Sequence, residues 1–150
     1  MFDRHVEEKH LQLCASKGIG VVAFSPLAQG ILSDKYLHGI PADSRAARPE
    51  GHLKTTDVTP EKIARVARLK SLADQRGQSI SQLALAWVLR HNEVSSVIVG
   101  ARTLDQLKDN LHSGENLTPT PAETESIDEI MNGINNKPNF CPYSPSSPPV

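Results

Sequence analysis

Apolar positions along the chain fall into short blocks, and their period changes from block to block. Between Phe2 and Lys17, Val6, Leu11, Leu13 and Cys14 recur among charges with a roughly helical period, and Gly18 closes the segment. "GVVAFSPL" follows, a short apolar run that predicts a buried strand entering a loop at Ser25-Pro26. From Ala28 to Thr59 the period vanishes and Gly, Pro, Ser and basic residues take over. A stretch of that length inside a compact domain usually has a task of its own.

Helical periodicity then returns. Thr59-Pro60-Glu61 supplies a cap, a proline at the first helical position and an acid in the first turn, predicting a helix to Arg76 that stops at Gly77. Ser79 and Gln82 form a capping-box pattern ahead of Leu83, Leu85, Ala86, Trp87 and Leu89 on a second helix, with Trp87 read as core. "SSVIVG" predicts a second strand. Thr103 with Gln106 is another capping-box pattern, opening a helix that ends near Gly114. Thr120-Pro121-Ala122-Glu123 opens a last helix whose apolar face is Ile127, Ile130 and Met131. The order predicts an α/β fold with parallel strands joined by helical crossovers. Two strands alone leave both sheet edges open, which marks part of something larger. Residues 1–133 read as the structured portion, and the Pro- and Ser-rich 134–150 as a disordered tail.

Composition narrows the function classes. A chain of 150 residues can bury a real core, and a net charge of −1 favours neither nucleic acid nor an anionic membrane as partner. No apolar run is long enough to span a bilayer, and the charged "MFDRHVEEKH" is no signal peptide. Two distant cysteines, Cys14 and Cys141, lack metal-ligand spacing, so a reduced, cytoplasmic protein without a metal is expected.

Two stretches carry candidate chemistry. In "SSVIVGARTLDQLKDN", Gly100 lets a ligand approach the backbone at a strand's carboxyl end. Arg102 offers a fork suited to phosphate or a purine face, beside a helix amino terminus that favours anions. Gln106 and Asn110, four residues apart on one helical face, could reach an adenine edge. In "FSPLAQGILSDKY", Ser25, Leu27 and Ala28 follow a strand with exposed backbone N–H groups, Gly30 permits a tight path, and Lys35 lies within reach of a pyrophosphate. Arg45 belongs to the same loop. Taken singly, each stretch is better explained by an ordinary strand-to-helix turn or a surface loop. Two consecutive strands, each followed by phosphate-friendly chemistry, match the way (β/α)8 barrels hold phosphate.

"FSPLAQGILSDKYLHGIPADSRA" together with "VIVGARTLDQLKDNL" resembles the aldo-keto reductases, nearest the L-glyceraldehyde 3-phosphate reductase and potassium-channel β-subunit branches. The resemblance covers residues 1–133 and implies the carboxyl-terminal fragment of a (β/α)8 TIM barrel, holding strands seven and eight with their helices. It implies NADP(H) as cofactor. Phe24, Ser25, Pro26, Leu27, Ala28 and Gln29 would line the pyrophosphate path, and Lys35 and Arg45 would lie on the loop that folds over the cofactor. Gly100, Arg102, Gln106, Asp109 and Asn110 would form the adenosine end, with Arg102 at the 2′-phosphate, although some relatives carry serine there.

The resemblance also implies an absence. The family's catalytic tetrad of aspartate, tyrosine, lysine and histidine belongs to the first half of the barrel. Tyr36 and Tyr143 match no proton donor, and the six histidines are expected at exposed helix or loop positions. Expected partners are NADPH, a small carbonyl substrate and another chain that supplies the missing half. The alternatives are a non-catalytic cofactor- or partner-binding module, or a truncated, inactive fragment.

Overall fold

The computed structural model describes residues 1–132. The expected disorder of 134–150 lies outside the described residues. Two helices, α1 (His5–Glu8) and α2 (His10–Ser16), precede strand β1 (Val21–Phe24). A long loop with three 3-10 turns leads to α3 (Pro60–Gln75) and α4 (Ile80–Leu89), then β2 (Val94–Ile98), α5 (Leu104–His112) and α6 (Pro121–Met131). The strands pair in parallel, with Val22 opposite Ser96, Ala23 opposite Val97 and Phe24 opposite Ile98, and an irregularity between Val21 and Val22. The fold is α/β, with one two-stranded sheet among the described residues.

Helix starts follow the capping chemistry. The Thr59 hydroxyl accepts from the Lys62 N–H, and Ser79 and Thr120 form reciprocal boxes with Gln82 and Glu123. The core is built by α3 (Val66, Leu69, Ala73), α4 (Ile80, Leu83, Ala84, Trp87) and α6 (Ile127, Ile130, Met131). Trp87 is buried as expected, and the Arg90 guanidinium stacks over its ring at 3.5 Å. The aperiodic loop is anchored in this core by Ile31, Leu32, Tyr36, Ala46 and Leu53. Periodicity could not reveal that, because no regular element presents those residues.

Several expectations need correction. The single helix over residues 2–17 is two, because Lys9 (φ −139°) breaks it, and of its apolar positions only Leu11 is buried while Leu13 is exposed. The helix from Thr103 does end near Gly114, at His112, with a 3-10 turn over Ser113–Glu115 continuing it. The strands are not buried on both faces: Val22, Phe24 and Ile98 are 55, 64 and 62 % exposed. Their runs look like central parallel strands because of composition, but the described chain holds nothing to cover that face. His91 is half-buried rather than exposed, with Nε2 3.6 Å from Glu7 Oε1.

Candidate functional site

The carboxyl ends of β1 and β2 open into a cleft of about 660 Å³ between the long loop and the amino end of α5. Of the residues singled out above, Phe24, Ser25, Pro26, Leu27, Gln29 and Lys35 line it from the β1 side with Arg45. Gly100, Arg102, Gln106, Asp109 and Asn110 line it from the β2 side. Ala28 does not line it. Its N–H is also engaged, donating to the Ser25 carbonyl at 3.0 Å, so it is not the exposed donor expected.

Backbone strain concentrates at this wall. Among the described residues only Ser25 (φ 53°), Ala28 (φ 46°) and Gln29 (φ 60°) adopt positive φ without being glycine. Such geometry costs on the order of 1–2 kcal/mol per residue. Gly30 continues the path at φ 100°, where glycine fits without strain. The turn that follows is fixed by Ser33, whose hydroxyl donates to the Gly30 carbonyl at 2.6 Å and accepts from the Lys35 N–H at 3.3 Å. Ser81 of α4 donates to the Leu32 carbonyl at 3.4 Å, tying the loop to the core.

On the opposite wall, a Cβ at Gly100 would meet no atom within 4 Å. A side chain at this position would therefore face open space. Thr103 caps α5 by accepting from the Gln106 N–H, but the capping box is only half formed. Gln106 Oε1 accepts instead from the Arg102 N–H at 2.8 Å, which fixes the backbone of the arginine. Asn110 is buried at the cleft wall. Asp109 serves the scaffold: its two oxygens accept from Ser79 Oγ at 2.9 Å and Gln82 Nε2 at 2.7 Å, joining α5 to the start of α4.

The lining carries four cations, Lys35, Arg45, Arg48 and Arg102, against two carboxylates, Asp43 and Asp109. A cleft so charged, at strand ends and beside a helix amino terminus, suits a polyanion. Arg48 and Asp43 were not legible in advance, since the loop has no period to place them. Asp43 Oδ2 accepts from the Arg102 guanidinium at 2.8 Å across 59 positions of sequence. The Arg102 hydrogen bond, with Lys35 nearby, holds the Asp43 carboxyl below its ordinary range. Tyr36 lines the cleft with its hydroxyl buried and without a partner. A second hollow, of about 550 Å³ between α1 and α6, is lined by charges that pair with one another, Arg4 with both Glu7 and Asp128. No group of metal-ligating side chains occurs among the described residues, and no described helix is long and apolar enough to cross a membrane.

In parallel α/β folds, ligands sit outside the carboxyl ends of the strands, which is where this cleft lies. The chain belongs to the aldo/keto reductase family, whose model matches residues 1–132. That family implies a (β/α)8 barrel. The chain is 42% identical over 124 residues to L-glyceraldehyde 3-phosphate reductase of Escherichia coli K12, a match covering 79% of this chain and 35% of the relative. It is 36% identical over 142 residues to a probable voltage-gated potassium channel subunit beta of Arabidopsis thaliana, covering 92% of this chain and 43% of that protein. A putative subunit of the same kind from Schizosaccharomyces pombe is 38% identical over 132 residues, covering 85% and 38%. The chain thus spans about two fifths of the length of the curated relatives it matches.

Proposed function

We propose that the cleft binds the pyrophosphate and adenosine of NADP(H). In this reading the chain is the carboxyl-terminal part, strands seven and eight with their helices, of a barrel that reduces aldehydes or ketones. The observation that carries it is the convergence of both strand ends on one cleft with four cations and a strained loop. Lys35 and Arg45 take the pyrophosphate, while Arg102, fixed by Gln106, takes the ribose 2′-phosphate. Asp109 acts through α4, holding α5 in place. When bound, the cofactor supplies a hydride to the carbonyl carbon.

In this reading the proton for the carbonyl oxygen comes from an acid outside the described residues. Tyr36 is the only described tyrosine near the cleft, and its buried hydroxyl has no lysine or histidine partner to activate it. The exposed row Val22, Phe24 and Ile98 and the two open sheet edges support a further polypeptide segment that completes the barrel. A reduced, cytoplasmic setting belongs to the same proposal, supported by the two distant cysteines Cys14 and Cys141. The same exposed row favours a second reading, a binding module that docks on a partner without turnover.

Fluorescence titration of the chain with NADPH, followed by an assay of NADPH oxidation over a panel of aldehydes, separates these roles. Saturable binding without turnover is expected of the chain alone. Turnover at a rate set by the aldehyde would contradict the assignment of the acid to another segment, and absence of saturable binding would contradict the site.

A further inference from the structure

The cleft carries a contradiction at its adenosine end. A guanidinium there recognises a 2′-phosphate, whereas a carboxylate at the same ribose position accepts from the 2′-hydroxyl of the unphosphorylated dinucleotide. This chain has both, paired: Arg102 donates to Asp43 at 2.8 Å, and both side chains are more than half exposed, at 58 and 65 %. The two come from opposite walls, Asp43 from the loop after β1 and Arg102 from the turn after β2. Asp43 therefore lies beside any group that Arg102 binds in the cleft.

We propose that Asp43 is a specificity-determining residue, whose carboxylate beside Arg102 lets the cleft accept NAD(H) as well as NADP(H). The proposal rests on the reading of the cleft as a dinucleotide site. A 2′-phosphate must share the Arg102 fork with Asp43 or displace it, and it meets the carboxylate's charge in either arrangement. A 2′-hydroxyl meets no such repulsion and gains an acceptor in Asp43. Lys35, which also acts on Asp43, reduces the repulsion without removing it. Arg102 spends only one of its donors on Asp43, which leaves the others for phosphate.

The test is a pair of titrations, NADPH and NADH, on the full chain and on Asp43→Asn and Arg102→Gln. Both side chains are exposed, so their replacement leaves the core untouched, and a melt of each variant checks this. Wild type should favour NADPH by about tenfold or less, since an exposed pair and one extra phosphate contribute little in water. Asp43→Asn should raise the NADPH-to-NADH affinity ratio about fivefold at low salt, less as salt screens the charge. Arg102→Gln should lower it below the wild-type value. An unchanged ratio in Asp43→Asn, or a wild-type preference for NADPH above about tenfold, would overturn the proposal and leave the cofactor cleft standing. If wild type binds neither dinucleotide, the cleft reading fails and this proposal fails with it.

Discussion

At the scale of single residues, the described chain accepts unfavourable conformations in one place. Ser25, Ala28 and Gln29 hold positive φ between the end of β1 and the cleft, a cost of a few kcal/mol in all. Packing holds the loop there, through Ile31, Leu32 and Tyr36 in the core. Elsewhere single residues act as fasteners. Glu7 accepts from Arg4 at 2.7 Å and from Arg90 at 3.0 Å, joining α1 to the end of α4 beneath the Trp87 stack. Burial alone would push its carboxyl upward, but the bonds to Arg4 and Arg90 outweigh it and hold the group below the ordinary 4.5. The folded state thus binds this proton less readily than the unfolded one. The stability that Glu7 contributes is present at neutral pH, and it falls away as pH drops below about 4.5 through the depressed folded value. Denaturant titrations from pH 7 to 3 should show Glu7→Gln with a shallower acid loss than wild type. An identical acid limb would show that the pair carries no linkage.

Elements behave as their termini dictate. Ser79 caps α4 and also donates to Asp109 of α5, whereas Thr120 caps α6 without a tie to another helix. Ser79→Ala should therefore cost more than Thr120→Ala, about 2 against about 1 kcal/mol in urea melts. Equal losses would mean that the Ser79–Asp109 bond contributes nothing. The same termini explain what could be read in the sequence. Helices opened by Thr59, Ser79 and Thr120 start where their capping patterns place them, because those signals are local. The break at Lys9 carries no glycine or proline to announce it. Gln106 matches the box pattern, yet its carbonyl goes to the Arg102 N–H, a choice set by the turn. Within the cleft, the positions of Arg102, Lys35, Phe24–Leu27 and Gln29 follow from motif and order, whereas Ala28 of the same run does not line it. Asp43 and Arg48 lie in a loop whose path depends on core contacts far apart in sequence, so no local pattern could place them.

The whole molecule divides its apolar surface unevenly. The helices and the long loop close around a well-buried core, while the sheet leaves Val22, Phe24 and Ile98 in water and two edges unpaired. Stability therefore resides on the helical side and the site on the open side. A site so placed works only if the folded loop holds its strained shape without a covering segment. The measurement that tests this most directly is a thermal melt of the chain with and without saturating NADPH. A ligand that binds only the native state raises the transition by mass action, by about 2.7 kcal/mol at a hundred times its Kd. A cooperative transition that rises with NADPH is the predicted result. A non-cooperative melt, or one that NADPH leaves in place, would contradict a working cofactor cleft in this chain.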